Sequence, residues 1–454
     1  MNETIVAQTT PMGRGGVAVI RMSGAKSLSI IKQCFTSKRT TPSKGQGSLE
    51  GGTRPDCVLP HAKMTYGIVT TEVLQDDGYV VYFASPHSYT GEDTVEINCH
   101  GNQIIVDSIL KRLVSLGARL ARPGEFTMRA LLGGKMDLVQ AEAVHDLICS
   151  ESLQQVEVSR AMLVGDYAQG FDKVGEGILS ILAPISAALD YPDDIDLTAE
   201  YPQFVQRLQS ITQEIATMCD SFERGRRQKN GVRIAIVGQT NAGKSSLINA
   251  LLGYDRAIVT EIAGTTRDVV TDEYEFLGIK FFVSDTAGVR ETSDIVEKKG
   301  IQKTYEQMTQ SDVLLDLGGV TYEGVYVGGD FCLSKNTKII KVHNKVDAVP
   351  HTDSTKFAVS AKCGTHIEAL KKHIFDQTID HIDVLAINNQ RHYDTLTRTQ
   401  DCIQSCIQSL AQNQPLDKIA SDLNAAHRAL SAIKGINATD QILDQIFSKF
   451  CLGK

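Results

Sequence analysis

The sequence predicts an α/β plus α protein, and three observations carry that expectation. The first 120 or so residues mix short β-type runs with a helix. Amphipathic helical stripes run from about residue 137 to 230 and resume after 378. Between the stripes lies a complete strand–loop–helix segment, so the helical region reads as one discontinuous bundle with a second α/β domain inserted in it. A chain of 454 residues with 42% hydrophobic content suits two to four domains with buried cores.

Taken in order, residues 17–22 and 79–83 read as strands and 103–116 as a helix, which makes 1–120 a small α/β domain. Residues 36–60, rich in Lys, Ser, Gly, Thr and Pro, read as an irregular loop. In 121–230, Val174, Ile178, Ile181, Ile185 and Leu189 share one helical face. Phe204, Leu208, Ile211, Ile215, Met218 and Phe222 then repeat at spacings of four and three. After the inserted segment, 231–378, the stripe resumes in 379–454 with Leu396, Ile403, Ile407 and Leu410, then Leu416, Ile419, Leu423, Leu430 and Ile433. Such stripes are core rather than a cofactor box.

The inserted segment carries the chemistry. Gly238-Gln239-Thr240-Asn241-Ala242-Gly243-Lys244-Ser245 follows an apolar run, 232–237, and opens into a helix over 246–252. Glycines let backbone N–H groups turn inward around an anion, and the helix points its positive end at the same place. Asn241, Ala242, Gly243, Lys244, Ser245 and Ser246 are therefore nucleotide-contacting candidates, with Lys244 reaching the β- and γ-phosphates and Ser245 ligating Mg²⁺. Asn344-Lys345-Val346-Asp347 ends the run 339–343, at the strand edge where an α/β sheet binds ligands. The Asp347 carboxylate matches the paired N1–H and N2–H₂ donors of guanine, which adenine lacks. Ser360, Ala361 and Lys362, after 356–359, form the second base-contact segment, and Asp285, Thr286, Ala287 and Gly288, after 281–284, bring an Mg²⁺-shell carboxylate and a γ-phosphate sensor. In this order the four segments define a GTPase.

Thr260, Glu261, Ile262, Ala263, Gly264, Thr265 and Thr266 lie where such a domain keeps its first switch, and Thr266 is placed to give Mg²⁺ a second hydroxyl. The residue after Gly288 is Val289, which cannot orient a water as glutamine would, and no finger arginine is evident. An arginine of that kind is worth ~10³–10⁵ in rate, so another group must neutralise the developing charge. Asn241 has two readings: with Thr260, Ile262 and Thr265 it cages a monovalent cation through carbonyl and amide oxygens, or it only caps a loop turn.

The ten cysteines show no metal-ligand spacing, and reduced, mostly buried thiols are expected. Without a long apolar span or a cleavable signal, a cytoplasmic protein off the membrane is expected. A net charge of −8 argues against a generally basic surface, so nucleic-acid contact should be local or shared with a partner.

Several further segments bring a family into view. They are Ile5-Val6-Ala7-Gln8, residues 13–24 (Gly-Arg-Gly-Gly-Val-Ala-Val-Ile-Arg-Met-Ser-Gly), Pro86-His87-Ser88-Tyr89-Thr90-Gly91-Glu92-Asp93, Ala121-Arg122-Pro123-Gly124-Glu125-Phe126-Thr127, residues 135–143 from Lys135-Met136-Asp137, and the terminus Phe450-Cys451-Leu452-Gly453-Lys454. Over nearly its full length the chain resembles the MnmE (TrmE) family of tRNA-modification GTPases.

That resemblance implies a Ras-like P-loop GTPase domain inserted in the bundle, and an N-terminal domain that dimerises and binds a tetrahydrofolate (5-formyl or 5,10-methylene) through Arg21, Glu96, Lys135 and Lys454. It implies potassium-stimulated hydrolysis with Glu297 positioning the water, Arg290 being a weaker neighbour, and GTPase domains that meet across the cation. It also implies a homodimer working with the FAD-dependent flavoprotein MnmG (GidA) as a heterotetramer, attaching a carboxymethylaminomethyl or aminomethyl-type group to C5 of a wobble uridine. Cys451 is either a small hydrophobe under the last helix or a reactive thiol. The alternative is a regulatory switch in ribosome assembly, as in the related Era and Der families. Two departures from the pattern are the acidic residue and glycines in Val313-Leu314-Leu315-Asp316-Leu317-Gly318-Gly319 and the polar stretch 322–338.

Overall fold

The computed structural model describes residues 3–38, 59–239, 241–253, 272–285, 308–318, 336–348, 357–436, 439–451 and 453. The chain divides into two compact units, residues 1–145 with 431–454, and residues 146–430.

The first unit is built on seven strands, β1 (Ile5–Gln8), β2 (Val17–Ser23), β3 (Phe35–Ser37), β4 (Thr65–Thr70), β5 (Gln75–Phe83), β6 (Thr94–His100) and β7 (Arg119–Leu120), in the order β3-β4-β5-β6-β2-β1-β7. Neighbours pair antiparallel except β7, which runs parallel to β1. Both strands expected from the sequence are present, inside β2 and β5. The alternation in β2 is the reason for its register: Ala18, Ile20 and Met22 are buried while Val19 and Arg21 are only half-buried. Helices α1 (Ser27–Cys34) and α2 (Gln103–Ser115) pack on this sheet and close a core containing Ile20, Met22, Ile31, Val80, Ile97, Ile109 and Leu113. The helix expected at 103–116 is α2, started by Asn102, whose side chain accepts from the Ile104 amide at 2.9 Å.

After β7 come α3 (Glu125–Leu132) and α4 (Leu138–Ile148). Glu125 ties α3 to the sheet. Its buried carboxylate accepts from Arg119 at 2.7 and 3.1 Å, from the Arg122 amide at 2.8 Å and from Arg129 at 3.1 Å. Arg129 also donates to Glu92 at 2.9 Å, and Ser23 donates to the same carboxylate at 2.8 Å, so β2, α3 and the 86–93 loop meet in one network.

The second unit opens with α5 (Leu153–Val164), which starts with a capping box between Ser152 and Gln155. It continues with α6 (Gln169–Asp190), α7 (Tyr201–Asp220) and α8 (Phe222–Asn230). The α6 stripe buries Val174, Ile178, Ile181 and Ile185 but leaves Leu189 39% exposed, against expectation. At about 100° per residue Leu189 sits roughly 60° round from Val174, at the edge of the stripe. In α7, Phe204, Leu208, Ile211 and Ile215 are buried; Phe222 is buried too, but it begins α8.

A sheet follows with β8 (Val232–Val237), β9 (Asp272–Phe276), β10 (Ile279–Asp285), β11 (Val313–Asp316), β12 (Lys338–His343) and β13 (Phe357–Ala358), in the order β13-β12-β11-β8-β10-β9. All pairings are parallel except the β9–β10 hairpin, whose two-residue turn places Leu277 at φ 50° and Gly278 at φ 79°. Strand β9 escaped the sequence reading because Asp272, Glu273 and Glu275 leave only Tyr274 and Phe276 as apolar signal. The two helices described here are α9 (Lys244–Leu252) and α10 (Ile367–Thr378), and both contribute to the core with Ile234, Ile236, Phe281, Leu315 and Val342.

Helices α11 (Gln390–Ala411) and α12 (Leu416–Ser431) resume the helical region, and α11 packs along α7, from the other side of the sheet segment in sequence. Where the helices reach the sheet, buried Asp312 accepts from Arg226 at 2.6 Å, Arg227 at 3.1 Å and the Arg233 amide at 3.0 Å, while Arg227 also donates to the Thr378 carbonyl at 3.2 Å. This clamp fixes α8 to the amino ends of β8 and β11.

The last helix, α13 (Asp440–Phe447), belongs to the first unit. Phe447 and Phe450 bury with Leu138 and Ala141, and Phe450 stacks on His145 with centroids 4.9 Å apart. The cysteines depart from the expected mostly buried set: of eight described, Cys34, Cys99 and Cys406 are buried, while Cys149, Cys363 and Cys451 are exposed. Apolar surroundings suffice for the first three, and the exposed ones lie outside the regular elements, Cys149 directly after α4, Cys363 in the turn before α10 and Cys451 beyond α13. The 36–60 loop begins beyond two residues of β3, and its positions 39–58 fall outside the described residues.

Burial pushes the Glu125 carboxyl up, but Arg119, the Arg122 amide and Arg129 outweigh it and hold the group below the usual carboxylate range. The stabilisation is therefore complete above the unfolded value of about 4.3 and is lost as pH falls through the lower folded value. Glu125→Ala should cost about 3–5 kcal/mol, since it removes one of the two carboxylates that pair buried Arg129 and the bidentate partner of Arg119. Urea unfolding followed at the first unit should show that deficit at pH 7 and a smaller one near pH 3. A pH-independent deficit would mean that packing, not charge, holds α3.

Candidate functional site

The carboxyl ends of the parallel strands converge on one loop. Strand β8 lies between β10 and β11, where the direction of chain winding reverses, and its end runs into residues 238–243. Asp285 closes β10, residues 317–318 follow β11, residues 344–347 follow β12, and residues 360–362 follow β13. Every described segment expected to touch nucleotide thus sits on the same edge.

Side chains of three residues hold the loop's carbonyls. Lys244 Nζ donates to the carbonyls of Gly238 at 2.9 Å and Gln239 at 3.1 Å. Lys345 Nζ donates to the Asn241 carbonyl at 2.7 Å. Asn344 Nδ2 reaches the carbonyls of Ala242 at 3.3 Å and Gly243 at 3.4 Å. Gly243 caps α9 at φ 88°, left-handed backbone that a side chain resists, and a Cβ there would also collide with Asn344 Nδ2. Both constraints demand glycine. Ser245 and Ser246 are exposed on the first turn of α9, with the Ser245 hydroxyl open to a cation.

The base segment is pinned from the same asparagine. Asn344 Oδ1 accepts from the amides of Lys345 at 2.8 Å and Ala361 at 3.0 Å, so one side chain spans the phosphate loop and the second base segment. Sequence reasoning placed Asn344 by motif and missed this bridging role. Buried Ser360 donates to Asp347 Oδ1 at 2.6 Å. That hydroxyl, aided by Lys362 and Lys345, holds the exposed Asp347 carboxyl below its usual range. The group is thus an ionised acceptor, aimed and ready for paired donors.

Of the remaining candidates, Thr260, Glu261, Ile262, Ala263, Gly264, Thr265, Thr266, Thr286, Ala287, Gly288, Arg290, Glu297 and Lys454 lie outside the described residues. The donors that can be checked fit their proposed ions. Ser245 is open to Mg²⁺, and Asn241, at φ 65° and exposed, has its carbonyl engaged by Lys345, so its side-chain oxygen is the ligand it offers a monovalent cation. The acidic departure at 316 is accounted for: Asp316 Oδ1 accepts from the Gly318 amide at 2.8 Å.

In the first unit, Arg21 and Glu96 are cross-strand partners of β2 and β6, joined at 2.8 and 2.9 Å. The Arg21 guanidinium lies 5.0 Å from the ring centre of Tyr89 and 5.8 Å from that of Phe126. Lys135 Nζ donates to the Pro86 carbonyl at 3.1 Å. Arg21 and Lys135 therefore border the 86–93 loop, and Glu96 is joined to it through Arg21. Buried Arg21 Nη1 has no hydrogen-bond partner among the described residues, which leaves a donor for a bound acceptor, and the two rings offer flat apolar surface; both suit a pterin with a carboxylate tail. Tyr89 and Phe126 were not among the sequence candidates, although the motifs containing them were. Cys451 is exposed, so it is not a hydrophobe packed under α13. Gly453, at φ 96°, is buried with its Cα so close to the Gln8 carbonyl that a Cβ would collide, which seats Gly453 against the end of β1.

Comparison with known proteins covers the whole chain. A model of the GTP-binding protein TrmE N-terminus matches residues 4–135, and a model of the MnmE helical domain matches residues 138–451. The chain is similar to the tRNA modification GTPase MnmE of Carboxydothermus hydrogenoformans, 37% identical over 476 residues and covering 100% of each chain. It is similar also to the MnmE proteins of Fervidobacterium nodosum, 36% identical with 100% of this chain and 98% of that one covered, and Natranaerobius thermophilus, 36% identical with 100% and 99% covered.

Proposed function

The chain belongs to the MnmE family of tRNA-modification GTPases, and from that premise we propose that it hydrolyses GTP at the edge of the second sheet and uses the cycle in C5 modification of a wobble uridine. The observation that carries the nucleotide half is the phosphate loop with its carbonyls held by Lys244, Asn344 and Lys345 and Asp347 aimed by Ser360. Because the match runs through both flanks of the GTPase segment, the reading as a ribosome-assembly switch with unrelated flanks falls away.

In this proposal Asp347 accepts the two guanine donors, Lys362 and Ala361 back the base, and loop amides of Asn241 and of Gly243 to Ser245 bind the phosphates with the Lys244 ammonium. Ser245, Thr266 and Asp285 hold Mg²⁺, which supplies charge neutralisation between the β- and γ-phosphates. Glu297 orients the hydrolytic water. Asn241, Thr260, Ile262 and Thr265 hold K⁺, which takes the place of a finger arginine. Arg21, Glu96, Lys135 and Lys454 hold a tetrahydrofolate that supplies the one-carbon unit, and Cys451 stands exposed three residues from the last of them.

The proposed organisation is an N-terminal domain over 1–120, a helical domain formed by 121–230 and 379–454, and a GTPase domain over 231–378. The packing of α7 on α11, across the inserted segment, supports it. A cytoplasmic homodimer acting with MnmG and tRNA completes the reading; among the described residues no helix is long and apolar enough to cross a membrane.

Guanine choice tests the base site. Competition of labelled GTP by ATP should show at least ~100-fold preference for GTP, as expected for a site that leaves a carboxylate unmatched by adenine. Asp347→Ala should collapse that preference, and because Asp347 ionises below its usual range the wild-type preference should hold unchanged from pH 8 to 5. Comparable affinities for ATP and GTP in the wild type would refute the assignment.

The cation reading has its own check. Hydrolysis should run faster in K⁺ than in Na⁺ at equal ionic strength, and Asn241→Ala should remove the difference while GTP still binds. Equal wild-type rates in the two salts would leave Asn241 as a turn residue only.

A further inference from the structure

Strand β11 is buried at all four positions, three of them Val313, Leu314 and Leu315, and the fourth is an acid, Asp316, only 7% exposed. A carboxylate at the end of an apolar strand beside an anion-binding loop needs a reason, since its charge opposes that of the phosphates the loop is to hold. Its surroundings supply one.

Asp316 is paired in register with Val237, the last residue of β8. Beyond that pair the ladder does not stop. The Leu317 amide donates to the Val237 carbonyl at 2.9 Å, and the Gln239 amide donates to the Gly318 carbonyl at 3.3 Å, so residues 317–318 extend β11 alongside the entry of the phosphate loop. To do this the chain turns at Gly318, which has φ 92°. Asp316 Oδ1 accepts from the Gly318 amide at 2.8 Å and closes that turn through its own side chain. Gln239, held from one side by Gly318, presents its carbonyl to Lys244 Nζ at 3.1 Å and to the Ala242 amide at 3.2 Å on the other.

We infer that Asp316 is a positioning residue for GTP binding: its carboxylate locks the Leu317–Gly318 turn, which in turn sets the backbone of Gly238 and Gln239 at the mouth of the phosphate loop. The inference rests on the nucleotide reading above and adds to it a residue that no motif marks. What the turn requires is the acceptor oxygen. Asparagine supplies the same Oδ1 without the repulsion, whereas alanine leaves the Gly318 amide to find another partner and frees a glycine whose backbone has a wide choice of conformations.

The test uses the full-length protein and a fluorescent GDP analogue, with dissociation rate and binding stoichiometry measured together. Asp316→Ala should speed dissociation roughly tenfold, the scale of one lost hydrogen bond, at unchanged stoichiometry. Asp316→Asn should dissociate no faster than wild type. Gly318→Ala, forced into a strained φ, should also speed dissociation, and Asp316→Ala added to it should change little more, because both act through the same turn. Lower stoichiometry with an unaltered rate in Asp316→Ala would reveal only a folding defect and overturn the inference. So would an Asn variant as fast as the Ala variant. Failure of the wild type to bind the analogue would instead remove the nucleotide reading itself.

Discussion

The structure of the second unit follows from one demand: a loop that binds phosphate must turn its amides toward the ligand, and its carbonyls must then be satisfied from behind. Lys244, Asn344 and Lys345 take the carbonyls of Gly238, Gln239, Asn241, Ala242 and Gly243 between them. Two of the three side chains come from the base-binding segment. The segment proposed to read guanine therefore also holds the loop proposed to bind phosphate, and Asn344, tied to Ala361 as well, joins the two halves. The glycine at 243 is required on the same account, since Asn344 occupies the space a side chain would need.

The opposite ends of the same strands are held by charge. Asp312, immediately before β11, receives Arg226 and Arg227 from α8, and its neighbours in the sheet run four residues to the turn that abuts Gln239. A short pair of hydrogen-bonded strands, β8 and β11, thus spans the distance between helical region and phosphate loop. In the first unit a comparable network of Glu125, Arg119, Arg129 and Glu92 braces the loop that carries Tyr89 toward Arg21.

Much of this was legible in the sequence, for reasons that differ by element. Strand β8 and helix α9 were readable because an apolar run and a glycine-rich loop leave few alternatives. The α6 and α7 stripes were readable from helical spacing, except at Leu189, where the stripe's edge cannot be told from its centre by identity alone. Strand β9 was not, since its charges mask its period. The side-chain bridge from Asn344 to the phosphate loop joins residues about a hundred apart and leaves no local pattern. Asp316 was visible as an anomaly, but its purpose depends on a turn geometry that only the fold reveals. The aromatic walls around Arg21 sat within recognised motifs, yet nothing in the motifs said which residues face the guanidinium.

The central claim is that GTP turnover at this loop serves modification of tRNA. The most direct measurement is mass spectrometry of tRNA nucleosides from a strain lacking this gene, complemented with the wild-type protein or with Lys244→Ala. The account predicts that the C5-modified wobble uridine is lost in the deletion, returns with the wild type and does not return with Lys244→Ala. An unchanged nucleoside profile in the deletion strain would contradict it, as would full restoration by the variant.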